Sequence, residues 1–84
     1  MPYEVLLKRS AERELSGLPR STHDRIIQRI VRLGTTPRPS GAVKLQGQDA
    51  YRIRIGDYRA LYVVDDSRLR VEVVAVGHRR DVYR

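Results

Sequence analysis

The 84-residue sequence contains no cysteine, no tryptophan and no phenylalanine, and only one methionine. Without cysteine there is neither a disulfide framework nor a thiolate metal site. A small domain lacking such staples fits a reducing compartment, so a cytoplasmic protein is expected. No apolar run approaches the ~20 residues of a membrane-spanning helix, so no membrane association is expected. The segment Met1-Pro2-Tyr3-Glu4-Val5-Leu6-Leu7-Lys8 has no basic stretch ahead of its apolar residues and does not read as a signal peptide. The two histidines, His23 and His78, are far apart, and adjacent carboxylates occur only at Asp65-Asp66. No metal is therefore expected. There is no Ser-His-Asp candidate, no phosphate-cradling glycine loop and no dinucleotide fingerprint, so no cofactor is expected either.

What the chain has in excess is positive charge. Its 17 lysines and arginines against 10 acids leave a formal charge of +7. Only Lys8 and Lys44 are lysine. A codon bias explains that ratio but not the net charge. Arginine presents a planar fork of donors that matches phosphate oxygens in pairs. A strongly basic small domain carries the electrostatic footprint of a polyanion binder. At this length the chain makes one domain over residues 1–84, with a thin core.

Tyr3 to Leu7 reads as a first strand. Ser10 is a candidate N-cap for a short helix carrying Ala11, Leu15 and Leu18, ended by Gly17 and Pro19. Ser21 opens a second helix with Asp24 in its first turn. Ile26, Ile27, Ile30, Val31 and Leu33 form its apolar stripe, and Arg25, Arg29 and Arg32 fall together elsewhere. Gly34 is a natural residue to follow the helix. Thr35 to Gly41 is a loop, and Val43-Lys44-Leu45 leads into a turn at 46–49. From Ala50 the period is two. Tyr51 to Ile55 and Tyr58 to Val64 flank Gly56-Asp57, a two-residue hairpin signal. Leu69 to Val76 is the most apolar strand and is expected to be central. Residues 77–84 read as a short tail with room for one helical turn. The expected fold is α+β, ordered β-α-α-β-β-β, an antiparallel sheet with a two-helix hairpin on one face.

The hairpin register follows from the turn. Ile55 faces Tyr58, Arg54 faces Arg59, Ile53 faces Ala60 and Arg52 faces Leu61. Alternation places Tyr51, Ile53, Ile55, Tyr58, Ala60, Tyr62 and Val64 on the helix side, and Arg52, Arg54 and Arg59 on the other. Two arginines directly opposite each other repel. A violated local rule marks a functional position; the competing reading is a solvated face with its charges pointing apart. His78, Arg79 and Tyr83 follow the last strand and add basic and proton-exchanging groups. RNA supplies its own nucleophile in the 2′-hydroxyl, and its cleavage needs a base, an acid and cations at the phosphate. Arginine, tyrosine and histidine make a metal-free set for that reaction.

Lys44-Leu45-x-Gly47, Tyr51-Arg52-Ile53-Arg54, Gly56-x-Tyr58-Arg59-x-Leu61-Tyr62 and Val76-Gly77-His78-Arg79-Arg80-Asp81-Val82-Tyr83 resemble the RelE/ParE toxin superfamily, over essentially the whole chain. The closing run is nearer its RelE side. That resemblance implies the toxin of a type II toxin–antitoxin system, a ribosome-dependent, metal-independent mRNA endoribonuclease that inhibits translation. It implies Arg52 and Arg54 as RNA contacts and Arg59 at the charged phosphate. It also implies Arg79 at the transition state or leaving group and Tyr83 as general base. His78 is a further candidate for proton transfer. Many relatives carry lysine at the positions of Arg52 and Arg54, and arginine does not exchange its proton, so here both are clamps. Proton transfer then falls on Tyr83, whose pKa the surrounding cations must lower. The implied partners are an acidic antitoxin, the ribosome and mRNA. Two alternatives stand: a ParE-like inhibitor of DNA gyrase, and a non-catalytic basic RNA-binding domain.

Overall fold

A computed structural model describes residues 2–45 and 49–78. Its elements are β1 (Glu4–Leu7), α1 (Arg9–Ser16), α2 (Arg20–Arg32), β2 (Val43–Lys44), β3 (Ala50–Ile55), β4 (Tyr58–Asp65) and β5 (Arg70–His78). They build one five-stranded sheet in the order β1-β5-β4-β3-β2. β2 through β5 pair antiparallel with their neighbours, but β1 lies parallel to β5, with Val5 beside Val71 and Leu7 beside Val73. The sheet is thus mixed rather than wholly antiparallel. A parallel pair needs a long crossover, and the two helices and the hairpin supply it. Val43-Lys44, read from sequence as an approach to a turn, forms a short fifth strand beside Tyr51 and Arg52. The apolar last strand lies inside the sheet, as its composition suggests.

Both helices cover one face. Ala11 and Leu15 of α1, and Ile26, Ile30 and Leu33 in and just beyond α2, are buried against Ile53, Ile55, Ala60, Tyr62, Val64, Val71, Val73 and Val76. Each fully buried aliphatic side chain contributes roughly 1.5–3 kcal/mol. Val31 is not part of this stripe and is 63% exposed. The helix starts also differ from expectation. Lys8 and Pro19 occupy the cap positions, neither with a side-chain cap. Ser10 instead lies inside α1, and its hydroxyl donates to the Val74 carbonyl at 3.1 Å.

Gly34 is required for space rather than for a left-handed backbone. A Cβ there would stand 3.0 Å from the Tyr3 carbonyl oxygen, 3.2 Å from Val5 Cγ2 and 3.3 Å from the Val31 carbonyl oxygen. The Tyr3 amide donates to the Gly34 carbonyl at 2.6 Å, so the two backbones are held together. Gly34→Ala is expected to cost about 1–3 kcal/mol by pushing β1 from its seat. A drop in the urea midpoint at unchanged slope would register it.

Candidate nucleic-acid interface and active site

The β3–β4 hairpin turns at Gly56, whose φ is +61°, and Asp57, whose φ is not positive. That matches the turn with glycine first, which suits the twist of paired strands. The resulting register is the one read from sequence: Ile55 faces Tyr58, Arg54 faces Arg59, Ile53 faces Ala60 and Arg52 faces Leu61. Ile53, Ile55 and Ala60 are buried beneath the helices. Arg52, Arg54 and Arg59 therefore lie on the opposite, helix-free face. Directly opposed side chains have Cβ atoms about 4.5–5.5 Å apart, so Arg54 and Arg59 leave the sheet side by side. Arg54 is exposed, and its Nε donates to the Gly56 carbonyl at 3.3 Å. Arg52 and Arg59 are half-buried. Across β4, Gly77 is the neighbour of Arg59 and Ala75 that of Leu61.

His78 is placed otherwise. A bulge interrupts the β4–β5 pairing: Leu61 faces Ala75, whereas the next residue, Tyr62, faces Val73. Val74 is the extra residue, and it shifts the alternation of everything after it. Strict alternation from Val71 and Val73 would send His78 to the arginine face. With the bulge, Val73 and Val76 are both buried, and His78 faces Tyr58 on the helix side. Its ring meets Tyr58 edge-on, centroids 5.7 Å apart. The strand runs through His78, so this residue does not leave the sheet as expected. Helix α1 holds the bulge: Ser10 bonds the Val74 carbonyl, and Glu14 Oε1 accepts from the Val76 amide at 3.2 Å. Arg79 and Tyr83 lie outside the described residues.

A second polar cluster, on the helix side at the far end of the hairpin, was not singled out from sequence. Arg38 donates through both Nη atoms to Asp66, at 3.1 and 2.7 Å, and through Nε to the Tyr51 hydroxyl at 2.8 Å. Its guanidinium also lies 5.2 Å from the centre of the Tyr51 ring. Tyr3 donates to Asp66 Oδ1 at 2.6 Å. Tyr51 stacks on buried Tyr62, whose hydroxyl donates to the Pro37 carbonyl at 2.7 Å. The signal was Pro37-Arg38-Pro39: two fixed φ angles around a single charge. The cluster pins the loop after α2 to the sheet. Hydrogen bonds from Arg38 and Tyr3 hold the Asp66 carboxyl below its usual range. A carboxyl lowered in the folded state stabilises above its unfolded pKa of ~3.9, and that contribution is lost as pH falls through the folded value. Asp66→Asn is expected to flatten the acid limb of stability against pH below about 4. Thermal melts between neutral and acid pH would show it, and an unchanged limb would assign the acid sensitivity elsewhere.

Residues 5–83 match the family model described as the ParE toxin of type II toxin-antitoxin system, parDE. The chain belongs to this toxin family. Among curated relatives of the toxin is Toxin RelG of Mycobacterium tuberculosis, 33% identical over 90 residues, covering 100% of this chain and 99% of that protein. Toxin RelE of the same organism is 28% identical over 85 residues, covering 99% and 88%. Among solved structures, the toxin–antitoxin complex RelBE2 of M. tuberculosis superposes with a TM-score of 0.83 at 28% identity, over 94% of this chain and 100% of that one. A free-state double mutant of the E. coli toxin RelE gives 0.83 at 27% identity, over 99% and 90%. The toxin therefore sits in the RelE/ParE superfamily by sequence and by fold. Among its described residues no three or more His, Cys, Asp or Glu side chains gather as a metal site. No described helix is long and apolar enough to cross a membrane.

Proposed function

We propose that this toxin is a metal-independent mRNA endoribonuclease acting on the ribosome and so inhibiting translation, residues 1–84 serving as one domain. The observation that carries this reading is the in-register pair Arg54–Arg59, joined by Arg52 on the same open face. Like charges opposed across strands cost stability, and an anionic substrate offsets that cost. Arg52 and Arg54 clamp the backbone on either side of the scissile phosphate. Arg59 holds the charge that builds on the phosphorus oxygens. In the reaction the 2′-oxygen forms a bond to phosphorus, and the bond from phosphorus to the 5′-oxygen breaks. Tyr83 takes the 2′-hydroxyl proton, and Arg79 neutralises the leaving 5′-oxygen until it acquires a proton from solvent. His78, facing Tyr58 on the other side of the sheet, takes no part in proton transfer. The similarity to RelG and RelE supports this reading over other activities on the fold.

The solved relatives include complexes of RelE with RelB. By that likeness the toxin is neutralised by a cognate antitoxin, and a charge of +7 calls for an acidic one. The matching family model is that of ParE, which keeps a second reading in view, inhibition of DNA gyrase without RNA cleavage. Primer extension in a translating extract decides between them. Wild type is expected to produce new 5′ ends inside the coding region, and the Arg59→Ala, Tyr83→Phe double variant none. Intact mRNA together with failed supercoiling would establish the gyrase reading. No effect on either would leave a basic RNA-binding domain.

A further inference from the structure

Arg25, Arg29 and Arg32 occupy one stripe of α2, at spacings of four and three residues. Among the described residues none of the three forms an ion pair, the Asp24 carboxylate being taken by Arg20 and His23. Like charges at such spacing cost a helix roughly 0.2–0.5 kcal/mol per pair. The stripe begins at the β3–β4 turn. Arg25 Nη1 lies 3.5 Å from where a Gly56 Cβ would stand. On the other side of the same turn, Arg54 Nε donates to the Gly56 carbonyl at 3.3 Å. The stripe ends at an open cavity of about 560 Å³, whose walls include Arg29, Arg32, Thr35, Thr36 and Ser40, with buried Ile53 among its lining. β2 covers β3 only beside Tyr51 and Arg52, so no described strand flanks Ile53 to Ile55 on the outer side.

We infer that the α2 stripe and its cavity form a second RNA-backbone site, continuous with the Arg52–Arg54–Arg59 face around the hairpin turn. A single RNA strand then wraps the end of the hairpin, from the open face of the sheet to the helix side. The inference rests on the RNA reading above. Guanidinium groups and hydroxyls at a water-accessible wall suit phosphodiester oxygens, which accept hydrogen bonds and donate none. The two sites together hold six guanidinium groups, and the turn between them carries Asp57 beside Arg25. An acidic peptide would feel the same charge. Continuity with the cleavage face and the hydroxyl-bearing cavity favour RNA.

The test uses the full-length toxin and a 20-nucleotide RNA made uncleavable by 2′-O-methylation. Removing three phosphate contacts from a single-strand complex lowers the slope of log affinity against log salt by about two. The variant Arg25→Gln, Arg29→Gln, Arg32→Gln is expected to show that change and to bind on the order of 10–100-fold more weakly in low salt. The Arg→Lys triple, which keeps the charges, is expected to restore the slope; this separates lost contacts from lost folding. A tetranucleotide, too short to span both sites, is expected to bind wild type and variant alike. If the Gln triple binds the long RNA as wild type does while Arg52→Gln, Arg54→Gln, Arg59→Gln does not, the α2 site is refuted and the cleavage face stands. If the sheet-face variant binds as wild type does, the cleavage face fails and this inference with it. If the α2 variant keeps RNA affinity but loses a decaglutamate peptide, the stripe belongs to an acidic protein instead.

Discussion

Arg59→Ala is expected to lower RNA cleavage by about 10²–10³-fold with little change in the melting temperature. The rate effect follows from removing one preorganised cation from the place where charge develops on the phosphate, a loss of the size seen for single donors at such sites. The stability effect follows from register. Arg59 stands directly opposite Arg54, and like charges directly opposed across strands are destabilising; alanine relieves that term, which offsets the contacts the half-buried side chain gives up. Arg59→Lys keeps the charge but not the planar fork, so it should recover part of the rate. Single-turnover cleavage and calorimetry on the same preparations check both halves. A variant that melts well below wild type, or cuts at the wild-type rate, would reassign Arg59 to the scaffold. Loss of activity together with unchanged or raised stability is what separates a substrate-binding charge from a structural one.

The largest expected effect on stability is at Tyr62. It is fully buried, stacks on Tyr51 with ring centroids 5.7 Å apart, and donates to the Pro37 carbonyl. Tyr62→Ala removes an aromatic ring from the core at about 3–5 kcal/mol. A domain of this length has a total stability of roughly 4–13 kcal/mol, so the variant should be largely unfolded at 37 °C or melt some ~15–30 °C lower. Tyr62→Phe keeps the ring and loses one hydrogen bond, costing about 1 kcal/mol. The two variants also separate packing from titration. Burial, with Tyr51 adding to it, pushes the Tyr62 hydroxyl up to about 12. An acid raised in the folded state contributes stability fully present below its unfolded pKa of ~10 and lost as pH rises through the folded value. Wild type should therefore lose stability between about pH 10 and pH 12, and Tyr62→Phe should lose less across that window. Denaturant titrations at several alkaline pH values read the difference directly.

Much of the site's placement was legible from local chemistry. Gly56-Asp57 between two alternating runs sets the turn, the turn sets the register, and the register puts Arg52, Arg54 and Arg59 on one face. Each of these steps depends on residues close in sequence. The apolar stripe of Ile26, Ile30 and Leu33 was equally readable, because helical spacing is local. Val31 follows buried Ile30 directly, is turned about 100° from it around the helix, and so stays in solvent.

What tertiary contacts settle lies where distant segments meet. The parallel seat of β1 on β5 joins the two ends of the chain, and no local period encodes it. Arg38 finds Asp66 across 28 positions of sequence and Tyr51 across 13. The side of His78 turns on a single inserted residue at Val74, held by Ser10 and Glu14 from a helix more than 60 positions away. Composition and alternation alone were thus enough to assemble the basic face. Which groups share that face depended on a bulge, because one extra residue in a strand of period two reverses every side chain beyond it.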